Sequence, residues 1–383
     1  TGLVLDYNGV SMYNSVINKG MVKYHKDLDS IGISAVHRIY SFDNRTALEA
    51  LANVRYYMIR KEFTQNLPYG FSKYKDYSTE TNEYTIYKND YPLSIGYTYD
   101  KYIDNEEYEK LSAIEKQQVM LEAAVLDTKN VKSLAKEDTR SVSDKIKYGT
   151  VTVKSKDGVV VKTDRIRSKK EESTLTLSYE KKKGYEAYLM LDGVITKKPR
   201  IKAKISTDNM EKNIVLRNND LTYALGRDSY LINLGYSDTS ESEDVTFTIP
   251  IEAKINYSDV KVCYVPMDDY VSQIEERNEE SLQNVLTDKN NEVSGNVTLS
   301  SDKVMVFSIP YSSGWKAYVD GKETSVFRAN TMYMGINMTK GSHKVVLRYN
   351  SPGLHLGMMA SAAGIIIWIL LAVASKKKKQ KGR

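Results

Sequence analysis

Apolar and polar positions alternate along most of the chain from about residue 145 onward. The run YGTVTVKSKDGVVVKT alternates on both sides of Asp157-Gly158, which predicts a β-hairpin with its turn at that dipeptide. Similar strand-like runs continue to about residue 257 and resume from about residue 292. Many short strands at regular spacing are typical of antiparallel sandwiches and jelly rolls. We therefore expect units of this kind to dominate the fold.

The first part of the chain has a mixed pattern of helices and strands. TALEALA (46–52) is a candidate short helix. Asp104 or Asn105 can cap a longer helix that continues to Leu126, because apolar residues recur there near helical spacing. Two strand-like runs lie between these helices, VRYYMIRKEF at 54–63 and EYTIYKND at 83–90.

The last apolar run differs from all the others in length. Leu354–Ser375 contains no Asp, Glu, Lys or Arg, which is enough to cross a hydrocarbon core of about 30 Å as a helix. Pro352 and Gly353 separate it from the preceding strand pattern, and Trp368 within it would face lipid or another helix. A buried core helix is the alternative, but four lysines at its end favour a membrane span. A cell-wall sorting signal would need an LPxTG-type sequence before it, and YNSPGLHLG has none.

These patterns predict an α+β ectodomain dominated by antiparallel β-sandwich or jelly-roll units, followed by one C-terminal transmembrane helix. The connector before the last β unit carries many charges at helical spacing. We divide the chain as follows: mixed α/β region 1–144, β-sandwich or jelly-roll domain 145–266, helical connector 267–291, small β domain 292–353, transmembrane helix 354–375 and basic tail 376–383.

The net charge of +6 is confined to the C-terminal tail. Of 55 Lys+Arg, six lie in the last eight positions, which leaves 49 against 49 Asp+Glu in residues 1–375. A nucleic-acid-binding protein would spread its basic residues over a face or groove, so this class is excluded. Lysines beside a span stay cytoplasmic. We therefore expect a cell-membrane protein with residues 1–353 extracytoplasmic and a cytoplasmic tail, fixed by Lys376, Lys377, Lys378 and Lys379.

Candidate chemistry is sparse along the chain. The single cysteine, Cys263, excludes internal disulfides, and its apolar strand favours a buried structural thiol over a reactive one. The four widely spaced histidines give no zinc spacing, and there is no phosphate-binding loop, HExxH motif or nucleophile elbow. We expect no catalytic residue, metal or cofactor in this chain.

Thirty tyrosines against six phenylalanines suit half-buried strand faces, where the ring packs and the hydroxyl meets water. The most notable local cluster is Tyr311, Trp315 and Tyr318 in PYSSGWKAYVDG. Aromatic faces near loops can stack on sugar rings, so these three residues are candidate glycan contacts. The alternative is that Trp315 fills the core after a Ser-Ser-Gly turn.

The segment at 310–357, PYSSGWKAYVDGKETSVFRANTMYMGINMTKGSHKVVLRYNSPGLHLG, resembles the C-terminal end of the YfhO family of bacterial polytopic membrane proteins. The family pattern has a GW-x-x-Y-V-D-G strand pair, a G-x-H-x-V-x-L-x-Y strand and a Pro-Gly bend before the last membrane helix. Weaker similarity covers nearly all of the chain. It departs from the pattern at Gln117-Gln118, where Gln-Asn is expected, and at Asn14, where serine is usual. Upstream matches are YNGVSMYNSVIN, LEALANVRYYMI, YPLSIGYTYD and AIEKQQVML.

The resemblance implies a GT-C-like glycosyltransferase that modifies cell-envelope polymers such as lipoteichoic acid from a polyprenyl-phosphate sugar donor. Its catalytic carboxylate would belong to a multi-span region that this chain lacks. Because TGLVLDYNGV has neither an initiator Met nor a signal pattern, we expect upstream membrane helices to be missing. The 383-residue chain would have no transferase activity alone and would position the acceptor. Its expected partners are the lipid bilayer, an envelope glycan or teichoic-acid-like polymer, and the missing upstream helices. The rival interpretations are a membrane-tethered carbohydrate-binding or sensory module without transferase activity, and a structural scaffold for envelope proteins.

Overall fold

The computed structural model describes residues 9–381, except 14–17, 64, 132, 219–225 and 288–290. Nearly half of the described chain is paired into sheets, all antiparallel except one small parallel sheet, and a long apolar helix follows the last strand. The predicted class, antiparallel β units followed by one C-terminal helix, is therefore confirmed. Asn14, which departs from the family pattern, lies outside the described residues.

Two small sheets and two helices form the N-terminal part. The first helix begins after Asn18, whose side chain accepts a hydrogen bond from the backbone N–H of Gly20. The predicted helix at 46–52 is confirmed as Thr46–Leu51, whose residues are all buried, with Ala52 as its C-cap. The strand orders are β1-β3-β2 and β4-β6-β5. The elements are β1 Met12–Tyr13, α1 Lys19–Asp27, β2 Ile33–Ala35, β3 Arg38–Ile39, α2 Thr46–Leu51, β4 Tyr56–Arg60, β5 Phe71–Ser78 and β6 Glu83–Asn89.

The single long helix predicted to reach Leu126 is wrong, because the chain forms two helices and then a strand. Asp104 caps the first helix by accepting the N–H of Glu107 at 2.9 Å. At Ser112 the backbone becomes extended, and Ser112 and Glu115 form a capping box that starts the second helix. The side-chain bonds of Ser112 compete with continued helix. The elements are β7 Gly96–Tyr99, β8 Lys101–Asp104, α3 Asn105–Lys110, α4 Ala113–Glu122, β9 Ala124–Leu126, a 3-10 turn Thr128–Asn130, β10 Ala135–Lys136 and α5 Arg140–Ser143.

A central β unit follows, in which three sheets enclose one apolar cluster. Their strand orders are β12-β15-β21-β18-β19, β11-β23-β16-β20 and β13-β14-β22-β17. Cys263 is buried in β23, as predicted, and burial raises the pKa of its thiol to about 12. The strands are β11 Lys147–Thr150, β12 Thr152–Asp157, β13 Val159–Lys162, β14 Arg165–Ser168, β15 Ser173–Glu180, β16 Tyr185–Asp192, β17 Ile195–Thr196, β18 Arg200–Thr207, β19 Met210–Arg217, β20 Tyr230–Ser237, β21 Ser242–Ile249, β22 Lys254–Asn256 and β23 Asp259–Pro266.

The hairpin predicted at Asp157-Gly158 is wrong. Strand β12 pairs with β15, whereas β13 pairs with β14 in a different sheet. Gly158 has φ of +66°, and a Cβ at this position would lie 2.5 Å from Cγ of Lys170. The dipeptide therefore carries the chain from one sheet into the next, a turn that only glycine fits without strain.

The C-terminal β unit shares a sheet with the N-terminal part. Its two sheets have the orders β24-β25-β31-β27-β28 and β29-β30-β26-β7, so that β7 pairs with a strand some 200 residues later in the chain. The proposed domain division, which did not include this pairing, stays a prediction. The elements are α6 Tyr270–Glu279, β24 Gln283–Leu286, β25 Glu292–Leu299, β26 Lys303–Pro310, β27 Trp315–Val319, β28 Lys322–Thr324, β29 Phe327–Ala329, β30 Tyr333–Met338 and β31 Gly341–Tyr349.

The chain then enters the helix α7, Leu354–Lys381. In the described residues, Leu354–Ala374 is the one helical segment that is long and apolar enough to cross a membrane. Its side chains are not buried against the rest of the protein, and Trp368 is 70% exposed. Contact with lipid would remove this apolar surface from water. The side chains of Lys376, Lys377, Lys378 and Lys379 lie outside the described residues, although the helix backbone continues through them.

Candidate functional site

The three aromatic residues predicted to contact glycans do not form one platform. Trp315 and Tyr318 lie three positions apart on β27, so their side chains leave opposite faces of the sheet. Trp315 packs against the core of the C-terminal β unit and against Tyr349, with ring centroids 5.2 Å apart. Tyr311 also packs on that core, and Tyr318 lies on the other face beneath the guanidinium of Arg348, 5.4 Å from its ring centroid. Glycan contact by these residues stays a prediction.

A different aromatic surface lies on the sheet β4-β6-β5. Tyr56, Met58, Tyr74 and Tyr77 are each about half exposed there, with Tyr56 and Tyr74 both at 54%. Their side chains share one face, because the rings of Tyr56 and Tyr74 lie 5.9 Å apart and Tyr77 lies 6.4 Å from Tyr84. We call this surface, made of Tyr56, Met58, Tyr74, Tyr77 and Tyr84, the tyrosine face.

Basic side chains accompany the rings of the tyrosine face. Arg60 pairs across the sheet with Tyr84 and lies 6.0 Å from its ring centroid. The ammonium of Lys75 lies 5.5 Å from the ring of Tyr74. A cation over the face of an aromatic ring is attracted by the ring's electrons. The face therefore combines apolar ring surface, phenol hydroxyls and positive charge.

The opposite face of the same sheet attaches it to the body of the protein. Tyr57 packs edge-on against Phe71, with ring centroids 5.2 Å apart, and Ile59 is buried. The Tyr57 hydroxyl donates a hydrogen bond to Oε1 of Glu49 on α2. Because side chains alternate along a strand, anchoring Tyr57 turns its neighbours Tyr56 and Met58 toward solvent.

Beneath this anchor lies a fully buried polar network. Burial raises the pKa of the Glu49 carboxyl to about 8, and within the described structure its Oε2 has no hydrogen-bond partner. Asp43 forms a buried ion pair with Lys212, with Oδ1 and Nζ 2.9 Å apart. Since the carboxyl groups of Glu49 and Asp43 are both closed off from solvent, they can hold structure together but cannot reach a substrate.

Glu186 links the network to the central β unit. Its Oε1 accepts from the Thr46 hydroxyl at 2.8 Å and from the Asn233 side-chain amide at 3.1 Å. Its Oε2 accepts from the Tyr188 hydroxyl at 2.5 Å. Burial raises the pKa of the Glu186 carboxyl, and these hydrogen bonds oppose the shift. The network therefore fixes α2, and with it the sheet that carries the tyrosine face, against β16 and β20.

Among the described residues, no group of three or more His, Cys, Asp and Glu side chains is arranged to hold a metal ion. The sequence patterns at 54–63 and 83–90 predict strands but do not predict the tyrosine face. The available signal was the density of tyrosines in YYMIR and EYTIYKN, but their exposure depends on what covers each face of the sheet.

Comparison with known proteins assigns the chain to a family. A sequence model described as "Bacterial membrane protein YfhO" matches residues 1–361. The chain belongs to the YfhO family. The "Uncharacterized protein YfhO" of Bacillus subtilis (strain 168) is 24% identical over 404 aligned positions, which cover all of this chain and 42% of that protein. The chain thus spans about two fifths of the length of its curated relative.

Solved structures offer only partial likenesses to this YfhO-family chain. One is a GH115 4-O-methyl-α-glucuronidase with specificity for decorated arabinogalactans, at 12% identity and a TM-score of 0.24, covering 31% of this chain and 18% of that one. Another is the arabinofuranosyltransferase AftD from Mycobacteria, at 15% identity and a TM-score of 0.19, covering 47% and 14%. Such low scores support no conclusion about fold or function. Membership of a membrane protein family does agree with the span in α7.

Proposed function

We propose that this chain is the extracytoplasmic domain and last membrane helix of a GT-C-like glycosyltransferase, and that it positions the acceptor polymer. The whole enzyme would transfer sugar from a polyprenyl-phosphate donor to a cell-envelope polymer such as lipoteichoic acid. The observation that carries the acceptor role is the tyrosine face: an aromatic, partly cationic surface held rigidly on a body that ends in a membrane-spanning helix.

The tyrosine face has the chemistry that a glycan acceptor requires. Tyrosine rings offer flat apolar area to the C–H faces of sugar rings, and their hydroxyls exchange hydrogen bonds with sugar hydroxyls. The pairs Tyr56–Tyr74 and Tyr77–Tyr84 lie at the two ends of the face and give two places for successive sugars. Lys75 supplies positive charge, which suits a polymer with a phosphate backbone, and Arg60, whose guanidinium pairs with Glu62 at 3.4 Å, adds hydrogen-bond donors.

The topology of this proposal rests on charge. Lys376–Lys379 follow the apolar segment directly, and basic residues next to a span are retained in the cytoplasm. Residues 1–353, including the tyrosine face, would then lie on the side of the membrane where envelope polymers are built. The catalytic carboxylate would lie in the part of the longer relatives that this chain does not match.

Binding of the acceptor can be tested with the chain held in lipid nanodiscs and titrated with purified lipoteichoic acid. Tyr74→Ala and Tyr77→Ala should each weaken binding about three- to tenfold, the equivalent of one aromatic contact. Tyr148→Ala is the matched control, because Tyr148 is 50% exposed on β11, outside the tyrosine face. Unchanged affinity in both variants would refute the role of the tyrosine face.

Two further measurements separate the proposal from its rivals. If Trp315→Ala loses binding while Tyr74→Ala and Tyr77→Ala keep it, the glycan binds instead at the predicted cluster of Tyr311, Trp315 and Tyr318. Sugar transfer from a polyprenyl-phosphate donor by the 383-residue chain alone would contradict the view that catalysis lies elsewhere. Binding by a natural full-length protein that transfers no sugar would favour a tethered binding or sensory module.

A further inference from the structure

A cavity of about 370 Å³ lies between the sheets of the central β unit, and its lining is mainly apolar. This volume lies in the range of 300–1,000 Å³ that is typical of small-molecule sites. It is more than twice that of engineered cavities of about 150 Å³, which stay dry and take up benzene. Well-packed interiors leave few voids larger than a water molecule, so a space of this size needs an explanation.

The lining of the cavity is that of a hydrocarbon site. Fifteen of the nineteen described residues that line it carry aliphatic or phenyl side chains. The buried part of the lining includes Leu177, Ala203 and Phe247. With no charged side chain in this part of the lining, a sugar or an ion would lose its hydration without replacement.

The cavity reaches the surface, and part of its exposed lining is apolar. Val153 on the edge strand β12 is 50% exposed although it lines the cavity. Val161, Ile166 and Val260, which also line the cavity, are only partly buried. A closed core would cover these side chains, whereas here they form an apolar rim that continues into the interior.

The polar groups of the lining are concentrated at this opening. They are Thr163, Tyr257, Ser258 and Asp259, and all four lie in exposed or half-exposed positions. The Tyr257 hydroxyl donates to the Lys162 carbonyl at 2.8 Å, and Asp259 pairs with Lys261. A ligand that fits both ends therefore has an apolar tail and a polar end that stays at the surface.

We infer that the central β unit binds one lipid hydrocarbon chain, inserted between its sheets through the rim at Val153. A single chain suits the volume, and the membrane in which α7 is embedded is a source of such chains. An acyl chain and an isoprenoid chain share this chemistry. The inference does not depend on the proposed transferase function or on the tyrosine face.

The experiment uses the complete chain in nanodiscs with a monoacylglycerol that carries a photoreactive diazirine in its tail. After irradiation, peptide mapping should find label in β15, β18, β19 or β21, in addition to any label on α7. Label confined to α7 would overturn the inference. The reaction is then repeated with an excess of either an unlabelled acyl lipid or a polyprenyl phosphate. The competitor that removes the label from the β strands identifies which kind of hydrocarbon chain the cavity binds.

Two pairs of variants make the result specific. Val153→Asp places a carboxylate in the rim and should reduce labelling of the β strands about tenfold, because entry of the tail would dehydrate the charge. Ile195→Asp is the matched control, since Ile195 is 53% exposed in the same unit but does not line the cavity. Equal labelling in these two variants would refute entry at the rim.

The second pair tests the interior. Ala203→Phe fills the cavity and should also reduce labelling about tenfold, whereas Lys202→Phe adds the same ring to the outer face of β18 and should not. A circular dichroism spectrum like that of the unsubstituted chain shows that a variant is folded. If Ala203→Phe does not fold, the comparison of Val153→Asp with Ile195→Asp is sufficient to test whether the hydrocarbon chain enters the cavity.

Discussion

The buried carboxyl of Glu49 should make the stability of this protein decrease as the pH rises through neutrality. Burial raises its pKa from the ordinary value of 4.5 to about 8, so the folded chain keeps a proton that the unfolded chain releases above pH 4.5. Each pH unit between the two values removes about 1.4 kcal/mol from the free energy of unfolding. The loss is about 3 kcal/mol at pH 7 and approaches about 5 kcal/mol at pH 8.

Glu49→Gln removes this titration while keeping an oxygen that accepts from Tyr57. Relative to the unsubstituted chain, the variant should gain stability progressively from pH 4.5 to pH 8 and gain no more above it. The sign follows from linkage, because stability decreases with pH wherever the folded state binds more protons. Below pH 4.5 both states of the unsubstituted chain are protonated, so the pH-dependent part of the difference vanishes.

The assay is urea unfolding of the nanodisc-embedded chain at pH 5, 6, 7 and 8, followed by near-ultraviolet circular dichroism of the tyrosines. The difference between the two proteins cancels the contributions of other groups, including His25, whose pKa burial lowers to about 3. Glu62→Gln makes the same chemical change at an exposed carboxyl two residues beyond β4 and is the control. A stability difference that stays constant with pH would refute the reasoning.

Two further substitutions test a buried ion pair and a helix cap. Lys212→Met leaves the carboxylate of Asp43 buried without its cation and should lower the free energy of unfolding by about 3–5 kcal/mol, seen as a lower Tm. Adding Asp43→Asn should recover much of that loss, and a decrease below about 1 kcal/mol would contradict the importance of the pair. Ser112→Ala removes the cap of α4 and should cost about 1 kcal/mol in the same assay. Ser112→Thr should cost less, since threonine can also cap, and equal losses would argue against capping.

Patterns that depend on a few neighbouring residues were predictable from the sequence. The helix at 46–52, the strand runs and the cap at Asp104 follow from local spacing and side-chain chemistry. The prediction of one helix to Leu126 is wrong from Ser112 onward, because the capping box at Ser112 ends one helix and starts another. The spacing of apolar residues carries no information about such a cap. The hairpin at Asp157-Gly158 failed because the same dipeptide can close a hairpin or pass the chain between sheets, and the partners that decide are distant in sequence.

The apolar C-terminal helix is predictable from the sequence, because a helix satisfies its backbone hydrogen bonds within its own segment. The antiparallel β character and the family resemblance are predictable as well, and the comparison confirmed the family. Which tyrosines are exposed depends instead on the tertiary packing. Tyr56 and Tyr57 are neighbours of the same type, yet Tyr57 bonds to buried Glu49 and Tyr56 is 54% exposed. Exposure is set by what packs against each face of a sheet, and that packing joins segments far apart in the chain.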